Sequence, residues 1–161
     1  MMDIRDYTGK DAHACAMIWN EVVQDGVAFP QLDLLSDEEA HVFFTSQTRT
    51  RVAVDDSDTP LGLYILHPNN VGRCGHIANT SYAVCSTVRG LHLGESLVSD
   101  SLLTAKEEGF RILQFNAVVA TNAVALHIYE KLGFVRLGVI PGGFLLPSGE
   151  YADIIPQYHL L

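Results

Sequence analysis

Apolar and polar positions along this chain switch between a period near two and a period near 3.6, and each switch marks an element. A short opening strand runs from Met2 to Asp6. Ala14, Ile18 and Val22, with Trp19 beside them, then recur at helical spacing and predict a helix that stops near Gly26. Ser36 stands three residues before Glu39 in the capping-box arrangement, and Val42-Phe43-Phe44 supply an apolar face, so a second, short helix begins there. Arg51 to Val54, Leu61 to Leu66 and Ile77 to Val84 read as strands. The turn formers Asp55 to Pro60 and Pro68 to Gly72 separate them by hairpin-like connections, which makes them antiparallel.

The pattern then becomes helix (Leu93 to Glu108), strand (Ile112 to Val118), helix (Ala123 to Leu132), strand (Phe134 to Val139) and a last strand from about Tyr151 to Tyr158. Phe144 to Tyr151 reads as a hairpin turned at Pro147-Ser148-Gly149, with Asp153 on the strand that follows. The expected fold class is α/β (α+β), with a mixed, mostly antiparallel sheet of about six or seven strands flanked by about four helices. At 161 residues with 48% hydrophobic content, residues 1–161 are expected to form one domain around one core.

Ten Lys and Arg against 19 Asp and Glu leave a net charge of −9, which repels nucleic acid and anionic membrane. A phosphate-bearing ligand therefore needs a local device. The charged N-terminus lacks the apolar stretch of a signal peptide, and no run approaches the roughly 18 apolar residues of a membrane span, so the expected location is the cytoplasm. Cys15, Cys74 and Cys85 have no paired spacing and read as buried or idle thiols, and no metal site is expected.

One stretch supplies such a device. Val84-Cys85-Ser86-Thr87-Val88-Arg89-Gly90-Leu91-His92-Leu93-Gly94 joins a strong strand to a strong helix through a basic, Gly-containing loop. A helix start presents unpaired N–H groups and the positive end of the helix dipole, Gly90 and Gly94 permit close approach, and Arg89 adds a charged contact. An ordinary turn ahead of a helix is the plain alternative. A dinucleotide-binding loop is set aside, because the three-glycine spacing and the later acidic residue are missing.

The loop resembles the signature of the GNAT (GCN5-related N-acetyltransferase) family: Arg or Gln, two residues, Gly, one residue, then Gly or Ala. Arg89 and Gly94 match, and His92 stands where the signature has its middle Gly. The run Asn122-Ala123-Val124-Ala125-Leu126-His127-Ile128-Tyr129-Glu130-Lys131-Leu132-Gly133-Phe134 is very similar to the family's second motif. A positive φ at His92 would cost on the order of 1 kcal/mol, whereas a first-turn helical position would cost nothing.

The resemblance implies acetyl-CoA as co-substrate and no metal. It implies a V-shaped splay between the fourth and fifth strands for the pantetheine arm, with the pyrophosphate on Arg89, Gly90, Leu91, His92, Leu93 and Gly94. It further implies a bulge in the fourth strand, whose N–H groups at Tyr82, Ala83 and Val84 bind pantetheine and polarise the acetyl carbonyl, with Ala83 counted in the catalytic set. Asn116 and Asn122 are implied cofactor contacts, although a satisfied amide and a helix cap account for them equally. Tyr129 is implied as proton donor to the departing thiolate; packing against the sheet is its plain alternative. No carboxylate lies in Ile77 to Tyr82, where many relatives keep a Glu. His76 and His127 are weak candidates for the base, and Cys85 is a weaker one for a nucleophile.

Gly75-His76-Ile77-Ala78-Asn79 and Glu21 to Pro30 also resemble the branch of fungal acetyltransferases that act on proline-like imino acids such as azetidine-carboxylate. That second resemblance implies Asn79 as the residue holding the acceptor, with Glu21, Phe29 and Phe144 around the pocket. The expected activity is N-acetylation of a small amine, an amino or imino acid, by direct attack in a ternary complex. Protein N-termini, antibiotics and polyamines are the alternative acceptors, and a non-catalytic acyl-CoA sensor is the alternative of another class. In relatives the region around Phe144 shapes the acceptor site or a dimer contact, which admits a homodimer.

Overall fold

The computed structural model describes residues 2–161 as eight strands and four α-helices. In chain order these are β1 (Asp3–Asp6), α1 (Ala12–Asp25), α2 (Asp37–Thr45), β2 (Arg49–Val54), β3 (Pro60–Pro68), β4 (Ile77–Val84), α3 (Leu93–Glu107), β5 (Ile112–Val119), α4 (Ala123–Lys131), β6 (Val135–Arg136), β7 (Ile140–Leu145) and β8 (Tyr151–Leu160). The sheet runs β1-β2-β3-β4-β5-β8-β6, with β7 also on β8. Every pairing is antiparallel except β4 with β5.

Local signals set the helix ends. Ser36 Oγ accepts from the Glu39 amide at 3.2 Å while Glu39 Oε2 accepts from the Ser36 amide at 2.8 Å, which completes the capping box of α2. Gly26 ends α1 at φ 65°, a left-handed value that favours glycine. Two apolar layers then sandwich the sheet. Trp19, Phe44, Val52, Leu63, Ile65 and Ala83 pack under α1 and α2. Tyr64, Leu66, Ala78, Leu97, Leu113, Phe115 and Phe134 pack under α3 and α4.

The strand expected from Phe134 to Val139 is not continuous; only Val135–Arg136 pair, and Ile140–Leu145 form a further strand. Pro156 in β8 accounts for the break. It has no N–H to donate, so the β6 ladder ends beside it at Gln157, and only its carbonyl is used, by the Leu137 amide at 2.8 Å. On its other side β5 bulges: Phe115 pairs with Gln157 and Val118 with Ile155, leaving Asn116 and Ala117 opposite Pro156 alone.

A charged clamp holds the first strand to the start of α1. Asp11, 2% exposed, takes two bonds of 2.8 Å from the Arg5 guanidinium and one of 2.8 Å from the Thr8 amide. Burial alone would raise the Asp11 carboxyl, but these donors outweigh it and hold the group below its ordinary range. A carboxyl depressed in the folded state adds stability above its unfolded pKa of about 4, and that stability is lost as pH falls through the folded value. The urea midpoint is therefore expected to drop between pH 7 and pH 3. Asp11→Asn should cost about 2 kcal/mol at pH 7 and flatten that drop. A variant as pH-sensitive as the parent would remove Asp11 from the acid response.

Candidate active site

The central feature is a gap in the sheet. β4 and β5 pair only at Ile77–Ile112 and Ala78–Leu113, and beyond those residues the two strands diverge. Against β3, β4 keeps one register from Ala78 to Val84 without interruption. The bulge expected in the fourth strand is therefore absent, and the bulge beside the gap belongs to β5.

Register also decides which amides face the gap. The Cys85 amide donates to Leu61 and the Asn69 amide to the Ile77 carbonyl, so the odd residues of β4 spend their main-chain groups on β3. Ala83 is one of these, and its amide cannot serve as the expected oxyanion donor. Thr80, Tyr82 and Val84 point their N–H groups into the gap, where no strand pairs with them. Orphan donors of this kind suit an amide-bearing arm laid along the strand.

Over the top of the gap lies the loop from Cys85 to His92. Gly90 has φ 85° and His92 has φ 59°, so the middle signature position does lie in the left-handed region. His92 carries that strain as the N-cap of α3, and the amides of Leu93, Gly94 and Glu95 head the helix. A Cβ on Gly90 would meet nothing within 4 Å, and one on Gly94 would touch only Ile128 at 3.5 Å. The concavity is open to an anion. Arg89, however, is engaged: its guanidinium donates to Asp25 at 3.1 Å.

On the α3 and α4 side of the gap stands Tyr129. Its ring lies 4.4 Å from that of Phe115 and 6.5 Å from that of Tyr82. Tyr82 donates and accepts in a chain with Thr80 and Ser101, at 2.7 Å each, whereas the Tyr129 hydroxyl has no hydrogen-bond partner among the described residues. Burial pushes the Tyr129 phenol well above its ordinary value, so it stays protonated. Asn122 caps α4, its Oδ1 accepting from the Ala125 amide at 3.2 Å.

On the α1 and α2 side the gap is floored by carboxamides. Asn69 Oδ1 accepts from Asn79 Nδ2 at 3.2 Å and from Asn116 Nδ2 at 2.7 Å, and Gln114 Nε2 donates to Asn116 Oδ1 at 3.1 Å. Asn116 and Asn79 thus share the Asn69 oxygen across the gap. Asn69 and Gln114 were not expected here. Alternation carried a signal for Gln114, since Leu113 and Phe115 are buried on the other face and Gln114 and Asn116 are not. Asn69, in a turn, carried none.

Of the other expected acceptor residues, Glu21 Oε2 accepts from the Ser86 amide at 3.4 Å and so faces the loop. Phe29 is 7% exposed and packs on Trp19 with centroids 4.5 Å apart, in the core cluster that includes Ala83 of β4. Phe144 packs with Val119, Ala152 and Ile154 beside the gap. Above them Gly26 abuts the β7–β8 turn, where a Cβ would come within 2.6 Å of Pro147 Cγ. His76 and His127 are exposed at the foot of β4 and on the outside of α4, away from the floor. Cys85 Sγ pairs only with Thr87, and burial pushes the Cys15 thiol up to about 12, in keeping with idle thiols.

Residues 15–134 match the profile of the Acetyltransferase (GNAT) family. The chain belongs to that family. This GNAT acetyltransferase is 30% identical over 158 residues to N-acetyltransferase aca1 of Schizosaccharomyces pombe, a match covering 87% of this chain and 76% of the relative. A GCN5-related N-acetyltransferase from Kribbella flavida superposes with a TM-score of 0.91 at 34% identity, over 99% of this chain and 98% of that one. A phosphinothricin acetyltransferase from Sinorhizobium meliloti, solved in complex with AcCoA, shares the fold with a TM-score of 0.91 at 20% identity, over 99% of this chain and 88% of the other. Among the described residues of this GNAT acetyltransferase, no helix is long and apolar enough to cross a membrane.

Proposed function

We propose that this acetyltransferase carries the acetyl group of acetyl-CoA to the amine of a small carboxylate-bearing acceptor, an amino or imino acid. The observation that carries the acceptor class is the carboxamide floor. Asn79, Asn116 and Gln114 each use one N–H of their NH2 groups inside the cluster and keep another for a ligand. None of the cluster's members is acidic, which suits an anionic group better than a polyamine.

The chain's own groups fit the cofactor. The heading amides of α3, the open space at Gly90 and the Arg89 guanidinium suit a pyrophosphate. The N–H groups of Thr80, Tyr82 and Val84 suit the pantetheine arm, and those of Tyr82 and Val84 would polarise the acetyl carbonyl. When bound, acetyl-CoA supplies a thioester-activated acetyl group. Tyr129 offers its unpartnered hydroxyl to the leaving thiolate. The floor orients the acceptor so that its neutral amine faces the gap, and the amine proton passes to water, since no carboxylate lines β4.

The test is calorimetric titration with acetyl-CoA, followed by an amine panel led by L-azetidine-2-carboxylate and proline, read as free-thiol release. Saturable binding with thiol release favouring the imino acids is expected. Preference for spermidine or for a peptide N-terminus would overturn the acceptor class, and binding without release for any amine would favour a sensor.

A further inference from the structure

Arg89 is the one Arg or Lys in the loop from Cys85 to Gly94, yet its guanidinium already faces a carboxylate. Asp25, the last residue of α1, accepts from Arg89 Nη2 at 3.1 Å. One helical turn earlier, Glu21 accepts from the Ser86 amide, so α1 fastens the same loop twice, once through a side chain and once through the backbone. Asp25 makes no contact with the carboxamide floor, and no other basic group stands against it.

A carboxylate and a phosphate oxygen ask the same thing of a guanidinium: an anionic acceptor in line with its N–H groups. We infer that Asp25 is a positioning residue that parks Arg89 as a stand-in for the pyrophosphate, so that cofactor binding displaces Asp25 and cofactor departure restores it. The inference rests on the reading of Arg89 to Gly94 as the pyrophosphate loop. Both partners are about half exposed, at 54% and 45%, so the exchange is between comparable, weakly held contacts and does not trap either state. Parking keeps Arg89 pointed at the loop when no ligand is bound. It also subtracts from the cofactor's affinity, because the ligand must first win the guanidinium from Asp25.

The sign of the expected effect is the opposite of what loss of a stabilising contact would give. Calorimetry with CoA itself, which needs no turnover, is carried out on the parent, on Asp25→Asn and on Glu21→Gln, in low salt and in about 1 M salt, where exposed charges further apart than about 3 Å are screened. Asp25→Asn should bind CoA about two- to fivefold more tightly in low salt, with a slower CoA off-rate, and the gain should shrink in high salt. Glu21→Gln, which removes a charge from the adjacent turn of the same helix without touching Arg89, should not reproduce that gain. Equal or weaker CoA binding by Asp25→Asn would overturn the inference while leaving the pyrophosphate loop standing. Failure of the parent and both variants to bind CoA would overturn that loop assignment and the inference with it.

Discussion

Tyr129→Phe is expected to lower acetyl transfer about 100-fold while leaving CoA affinity and folding stability unchanged. The separation of effects follows from the environment of the side chain. The Tyr129 ring is held against Phe115 and Phe134, contacts that phenylalanine keeps. The hydroxyl has no hydrogen-bond partner among the described residues, so its removal orphans none of them. What disappears is the protonated donor beside the gap, kept protonated by burial. Turnover should fall with KM for acetyl-CoA little changed, and thermal unfolding should stay within about 1 °C of the parent. Equal turnover in Tyr129→Phe would remove the hydroxyl from the reaction and leave Tyr129 as packing.

Leucine in place of Asn79 is expected to lower kcat/KM for L-azetidine-2-carboxylate about 10- to 100-fold, mainly through KM. The substitution preserves bulk and deletes the N–H groups, one bonded to Asn69 and one left for the ligand. A hydrogen bond to a charged group is stronger than one to a neutral group, so the uncharged amide of the same imino acid should lose much less. Equal losses for acid and amide would place Asn79 in the architecture of the floor and not in carboxylate recognition. Asn69 then becomes the residue to watch, because its single oxygen holds Asn79 and Asn116 together across the gap.

The acid response of Asp11 and the competition at Arg89 both arise from side chains that no spacing rule joins: Arg5 with Asp11, and Arg89 with Asp25. The four helices, by contrast, were legible almost to the residue, because Ser36, Gly26 and the run from Asn122 to Phe134 carry local stop and start signals. Strand β4 was legible for the same reason, and so was the strand-to-helix loop that follows it.

Local pattern failed where one strand determines another. Within Phe134 to Val139 only Gly138, at φ 149°, hints at a break, and the ladder ends where it does because Pro156 of the distant β8, facing Leu137, has no N–H to return. The bulge lies in β5 rather than β4, a matter of register between distant strands, and the uninterrupted β3 ladder takes the Ala83 amide out of the gap. The carboxamide floor shows the same division. Asn79 was visible in its motif, but the union of Asn69, Asn79, Gln114 and Asn116 depends on parallel pairing of strands separated by a whole helix. By itself the sequence determined what is local in origin: helix limits, the Gly-containing strand-to-helix loop and membership in an acetyltransferase family. Tertiary structure alone decided which main-chain donors remain free, where the sheet opens and which carboxylate Arg89 meets, because hydrogen-bond direction and side-chain neighbours across a sheet are set by register between distant segments.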